Sequence, residues 1–207
     1  MRISPEKLAA EAEATGFRPD LLEKVAHLLG LLDAIQSHPF LQGKLVLKGG
    51  TALNLFILDV PRLSVDIDLN YIGAEDRDTM LAERPKIEQA IHAVLSRERF
   101  NVRRIPEGHA GGKWLLRYQS ASGHGGNLDV DLNYMFRIPL WPAMIIDSHK
   151  VGTWQATRIP VLDIHELASG KLVALLSRGQ VRDLFDCHWI LRMKNLDYKR
   201  LRIGFVV

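Results

Sequence analysis

The chain has a single cysteine, Cys187, among 207 residues. One thiol cannot build a disulfide framework, and it argues against a cysteine-based zinc site. Long apolar runs are also missing. The best of them, LVLKGGTALNLFILDV, is interrupted by Lys48 and by two glycines, so no stretch reaches membrane-spanning length. The first residues, MRISPEKLAAEAEATG, carry acids where a secretory leader needs an apolar centre. A cytoplasmic protein with no membrane association is therefore expected. Strong charge of one sign is absent too: 27 Lys and Arg against 24 Asp and Glu leave a net charge of +3. That balance does not by itself indicate nucleic-acid binding, but it is compatible with a phosphate-rich partner. Low-complexity segments are lacking as well. What remains, 47% hydrophobic and 25% charged residues, is the composition of an ordinary globular protein.

Periodicity assigns the elements. Ser4-Pro5-Glu6 has the cap, proline and acid of a helix start. A second helix is expected from Pro19 to about Ser37, on the helical spacing of Leu21, Leu22, Val25, Leu28, Leu29, Leu32 and Ile35. Leu45–Leu47 reads as a short strand, Gly49-Gly50 as a turn, Thr51–Leu58 as a short helix and Leu63–Tyr71 as an alternating strand. A helix spans Asp76–Arg99, restarted or kinked at Pro85. Strands then follow at Phe100–Ile105, Lys113–Ser120 and Asn127–Tyr134, separated by the loops GHAGG and SGHGG. The proline-bearing segment from Pro139 suggests turns and edge strands, and Arg158–Leu162 a last strand. Helices from Asp163 to about Ser177 and from Gln180 to about Met193 close the pattern. The expected class is α/β (α+β): a mixed sheet flanked by helices, with a helical C-terminal region. Three units are expected: N-terminal helices over 1–40, a core over 41–162, and a helical region over 163–207 that completes the site.

The chemistry concentrates in two similar stretches, SVDIDLNY at 64–71 and LDVDLNY at 128–134. On a strand, residues two apart face the same way, so Asp66 and Asp68 share one face, as do Asp129 and Asp131. Like charges on one face repel, and burying them costs several kcal/mol each unless they are compensated. A divalent cation is the simplest compensation, and paired carboxylates completed by phosphate oxygens are how Mg²⁺ is usually held. The ordinary alternative is two edge strands with aspartates in solvent. Ahead of Asp66 lies Lys48-Gly49-Gly50-Thr51, a glycine turn between strand and helix that lets backbone N–H groups approach an anion. A phosphate cradle beside a metal site is what nucleotide transfer from a triphosphate requires.

This arrangement resembles the nucleotidyltransferase fold of the DNA polymerase β superfamily. Within it, the blocks LVLKGGTALNL, RLSVDIDL and GKLVALLSRGQVRDLFDCHWIL resemble the AbiEii-type toxins of type IV toxin–antitoxin systems, over about residues 44–193. The resemblance implies phosphate-side contacts by Gly49, Gly50 and Thr51, nucleotide contacts by Arg62 and Ser64, and Mg²⁺ (or Mn²⁺) on Asp66 and Asp68. It implies a third carboxylate at Asp131, with Asp129 close by on the same face, a phosphate-binding lysine at Lys171, and an acid opposite it, Asp183 in preference to Asp186. From the residues alone, Lys171 reads equally as a snorkelling surface lysine, and Asp183 and Asp186 as helix N-terminal acids. The implied activity is metal-dependent transfer of a nucleoside monophosphate from a nucleoside triphosphate to an acceptor hydroxyl. A tRNA is the implied acceptor and an antitoxin encoded nearby the implied partner. A small-molecule or protein acceptor on the same fold is the alternative, and a catalytically silent binding module is another. The resemblance also leads one to expect helices beyond the Arg182-Asp183-x-x-Asp186 segment, whereas the sequence runs only to LRIGFVV. His109 and His124, in glycine-rich loops, and Trp114, Trp141, Trp154 and Trp189 read as loop or core residues. Arg103, Arg104, Lys113 and Arg117 read as a solvated sheet edge, and Cys187 as a packed apolar group.

Overall fold

A computed structural model describes residues 3–104 and 110–206. Seven strands form one mixed sheet in the order β3-β4-β5-β2-β1-β7-β6. They are β1 Leu45–Lys48, β2 Asp66–Tyr71, β3 Asn101–Arg104, β4 Gly111–Gln119, β5 Gly125–Asn133, β6 Met144–Ile146 and β7 Ile159–Val161. The helices are α1 Pro5–Thr15, α2 Pro19–Gln36, α3 Gly49–Ala52, α4 Arg77–Arg97, α5 Ile164–Arg178, α6 Val181–Ile190 and α7 Tyr198–Val206. The expected class holds. His109 and part of the expected strand 100–105 lie outside the described residues.

Several local outcomes differ from the periodic reading. The helix after β1 starts at Gly49 itself and continues as a π-helical turn, Leu53–Ile57. Strand β2 is shorter than expected, starting only at Asp66, and Arg62 ahead of it is held by Asp186 of α6. Pro85 sits inside an unbroken α4, which Asp76 caps by accepting from the Thr79 N–H. The segment LRIGFVV, expected only as a tail, lies largely within α7. That helix approaches α5 where Gly204 faces Ser169, and the Ser169 hydroxyl donates to the Leu201 carbonyl at 3.1 Å.

The two aspartate stretches are neighbours. Strand β2 pairs with β5 in parallel, with Asp66 opposite Asp129, Asp68 opposite Asp131 and Asn70 opposite Asn133. The pleat then sorts the side chains. Ile67, Leu69, Val130 and Leu132 are buried in the main hydrophobic cluster, which includes residues of α2 and α4. The aspartates and asparagines occupy the opposite face. The two tyrosines that end the stretches, Tyr71 and Tyr134, lie with ring centroids 5.5 Å apart on the apolar side.

These tyrosines differ in one respect. The Tyr71 hydroxyl donates to Glu83 at 2.6 Å, and Glu83 also accepts from Lys44 at 2.7 Å. The Tyr134 hydroxyl is buried with no hydrogen-bond partner among the described residues. A bond to a charged acceptor stabilises, whereas a buried unpaired hydroxyl is a cost that its removal relieves. Tyr71→Phe is therefore expected to lower unfolding stability by about 1–2 kcal/mol, and Tyr134→Phe to leave it unchanged or raise it. Urea denaturation of the two variants checks the contrast.

Candidate active site

Strand β2 ends its antiparallel pairing with β1 at Lys48 opposite Asp68, and the glycine turn starts at the next residue. Gly49 has φ +74°, a left-handed conformation, and a Cβ there would lie 2.1 Å from Asp68 Oδ2. No other residue fits without displacing that carboxylate. A Cβ on Gly50 would meet Ser64 Oγ at 2.9 Å, Arg62 Nη2 at 3.4 Å and Lys171 Nζ at 3.8 Å. The glycine pair thus lies between an acidic wall and a basic one.

The acidic wall is the sheet. Asp66 and Asp68 stand beside Asp129 and Asp131, on strands about 4.8 Å apart. Asp129 is already paired with Lys113, 3.3 Å away. Burial pushes the Asp68 carboxyl above its usual range. The Lys48 charge pulls it back, and Asp131 and Asp66 push it further up. The site is therefore short of positive charge at Asp68.

The basic wall is helical and more heavily bonded. Asp183 and Asp186 on α6 are both fully buried, not surface acids. Lys171 on α5 reaches between them, 3.1 Å from Asp183 and 2.8 Å from Asp186. Arg178 donates to Asp183 through Nε at 2.7 Å and Nη2 at 3.0 Å. Arg62 makes the matching two-bond contact to Asp186, at 2.8 and 2.7 Å. Asn54 adds a bond to Asp186 at 3.1 Å and one to the Gly50 carbonyl at 3.0 Å. Hydrogen bonding by Arg178 holds the Asp183 carboxyl down to about 2, against the opposing effect of burial. Burial pushes the Asp186 carboxyl up, but Arg62 and Lys171 outweigh it and hold it low.

Two cavities open on either side of this junction. A polar one of about 270 Å³ is lined by Ser64, Asp66, Asp129, Asp131, Lys113 and Arg182. An apolar one of about 610 Å³ is lined by Lys48, Gly49, Asn70, Phe136, Glu166 and Phe205, among others. Gly50, Asp68, Lys171 and Arg178 line both.

Of the sequence candidates, Gly49, Gly50, Arg62, Ser64, Asp66, Asp68, Asp131 and Lys171 all line one or both cavities. Four readings change. Thr51 is fully buried and its hydroxyl donates to the Asp66 carbonyl, so it braces β2 instead of facing the cavity. Arg62 has its guanidinium committed to Asp186. Asp186 is as deeply engaged with Lys171 as Asp183 is. Lys113, expected on a solvated edge, lines the polar cavity, while Trp114 is core. Asn54, Asn70 and Phe136 were missed. The available signals were the four-residue step from Gly50 to Asn54 and the extension of the aspartate echo through Asn70.

Among the described residues, no three His, Cys, Asp or Glu side chains form a ready-made metal cage. The carboxylates instead form an open row facing a cavity. An oxygen-only donor set with unfilled positions suits Mg²⁺, which keeps waters and takes phosphate oxygens, so the residues fit that ion.

Comparison with known proteins bears on this geometry. A family model described as "Nucleotidyl transferase AbiEii toxin, Type IV TA system" matches residues 30–206. Among solved structures, MenT4, a nucleotidyltransferase toxin from Mycobacterium tuberculosis H37Rv, superposes with a TM-score of 0.72 at 23% identity, over 96% of this chain and 68% of that one. JHP933 from Helicobacter pylori gives 0.62 at 16% identity, over 86% and 68%. The antibiotic-resistance factor ANT(2'')-Ia gives 0.52 at 13% identity, over 86% and 89%. Curated proteins give no match to the sequence.

The depressed Asp183 carboxyl has a pH consequence. A group lowered from 3.8 to about 2 on folding stabilises above its ordinary value and loses that contribution as pH falls toward 2. The stability gap between the native protein and Asp183→Asn is expected to stay constant from neutral pH to roughly pH 4, then narrow below it. Denaturant titrations at a series of pH values measure the gap.

Proposed function

For a chain that belongs to the AbiEii family of nucleotidyltransferase toxins of type IV toxin–antitoxin systems, we propose Mg²⁺-dependent transfer of a nucleoside monophosphate to a tRNA hydroxyl. The observation that carries this reading is the register of Asp68 with Asp131, beside Gly49 and Gly50 and in the cavity that Lys171 also lines.

Each residue then has a task. Asp66 and Asp68, with Asp131 adjacent, would hold the divalent cation. When bound, that ion supplies positive charge against the carboxylates and the transferring phosphate. The backbone of Gly49 and Gly50 lets phosphate oxygens approach without a side chain in the way. Lys171 is locked by Asp183 and Asp186, so its charge is already in place as negative charge develops on the leaving pyrophosphate. Asp131, which makes no ion pair among the described residues, is placed to accept the proton of the attacking hydroxyl. The acceptor oxygen bonds to the α-phosphorus, the bond from that phosphorus to the bridging oxygen breaks, and pyrophosphate leaves. Ser64 and Arg62 line the polar cavity and shape its phosphate side.

Arg182, which makes no ion pair among the described residues, lines the polar cavity and favours a polynucleotide acceptor over a neutral small molecule. No helix among the described residues is long and apolar enough to cross a membrane. The reading is completed by a cytoplasmic toxin held in check by an antitoxin encoded nearby, which membership of the family supports.

Incubation with each labelled nucleoside triphosphate, Mg²⁺ and total tRNA tests it. Label is expected on tRNA with the native chain and lost, by at least about a hundredfold, in Asp66→Asn and Asp68→Asn. Asp129→Asn, whose side chain is occupied by Lys113, is expected to retain most of the activity. Label moving to an aminoglycoside instead of tRNA would replace the acceptor and keep the reaction.

A further inference from the structure

We propose that Asn70 selects the nucleobase of the bound nucleoside triphosphate, from the floor of the apolar cavity. This rests on the nucleotidyltransferase reading above and adds to it the means by which one nucleotide is preferred over another.

The first observation is a buried amide oxygen without a partner among the described residues. Asn70 is 4% exposed, and its Oδ1 is buried with no hydrogen bond among the described residues. A polar side chain in the middle of a central strand is normally satisfied. The same residue lines the wall of the 610 Å³ cavity. The oxygen and nitrogen of a carboxamide exchange places by a half-turn, so either end can be offered to a ligand.

The second observation is position. Asn70 lies two residues beyond Asp68 on the same strand face, about 6–7 Å along the strand. With phosphates at Asp68 and the glycine pair, that offset reaches the nucleoside and not the phosphates.

The third is the character of the walls. Phe136, Ile138 and Leu140 come from the segment after β5, Val173 from α5, and Phe205 from α7. All five are exposed at the surface rather than used in the core. Phe136 is placed by Asn133, whose Oδ1 accepts from the backbone N–H groups of Met135 at 2.7 Å and Phe136 at 3.1 Å. Lys48 lies over the Phe136 ring, 5.7 Å from its centre. A flat base suits such a slot, because every base has an apolar face and a polar edge. The edge is what a carboxamide reads, since it offers a donor and an acceptor side by side. The other acid of the slot, Glu166, already accepts from the Trp141 N–H at 3.3 Å.

The experiment measures dissociation constants of ATP, CTP, GTP and UTP with Mg²⁺ for the full chain, Asn70→Leu and Asn70→Ala, alongside thermal unfolding. The native chain is expected to prefer one triphosphate by about tenfold or more. In both variants that preference collapses while the weaker triphosphates keep their affinity. Asn70→Leu melts no lower than the native protein, because it removes an unsatisfied buried group. A preference that survives in both variants, an equal loss for all four triphosphates, or a native chain without preference overturns the inference and leaves nucleotidyl transfer standing. A native chain that binds no triphosphate overturns the transfer reading itself and this inference with it.

Discussion

Lys171 carries its ammonium group between two carboxylates, Asp183 and Asp186, that are both sealed from water. Two such charges would cost several kcal/mol each to bury alone, and α6 could not occupy its place without compensation. The compensation comes from three cations on two segments: Lys171 and Arg178 on α5, and Arg62 ahead of β2. Asn54 ties the same cluster to the Gly50 carbonyl. The cluster therefore fixes the angle between α5 and α6, the path of the chain into β2 and the position of the glycine turn. Lys171 serves both carboxylates while Arg178 and Arg62 each serve one, so removing any one partner weakens the compensation of a buried charge and the groups act as a coupled network.

The opposite imbalance exists a few ångströms away. Four aspartates on β2 and β5 share one sheet face, and the only ion pair among them in the described residues is that of Asp129 with Lys113. The upward push on Asp68 is the physical sign of that excess. A triphosphate with its cation resolves both imbalances together. The cation answers the sheet carboxylates, and the phosphates answer the fixed cations of the helical wall. The glycine pair keeps the space between the walls free of side chains.

The period-two spacing of Asp66 and Asp68 and the glycine pair were legible in the sequence because they are local patterns with direct geometric meaning. The fold class followed from the succession of elements. The long-range partners were not legible. Arg62 lies 124 positions from Asp186, and nothing near Arg62 shows that its guanidinium is occupied. The three-residue spacing of Asp183 and Asp186 shows a shared helix face but not its burial, so only one of the two acids was expected at Lys171. Thr51 follows the glycines as a phosphate-binding hydroxyl would, yet the helix begins two residues earlier than its composition suggests and turns it inward.

The repeated Asp-Leu-Asn-Tyr was legible as a repeat but not as a pairing. In the sheet the two copies lie in register, and each position acquires a different task from its neighbour. Asp68 faces the junction of the cavities and Asp131 the polar one. Asn133 shapes the turn that carries Phe136, while the Asn70 amide oxygen has no partner among the described residues and its side chain lines the cavity wall. Tyr71 holds Glu83 and Tyr134 packs against it. Equal strands would have given a symmetric row of groups. The inequality arises because β2 lies between β1 and β5 while β5 lies between β2 and β4, so the same residues meet different surroundings. Similar side chains at matching register positions therefore do not imply equal roles. The partner strand and the element beyond it decide which carboxylate is free to do chemistry and which is already engaged.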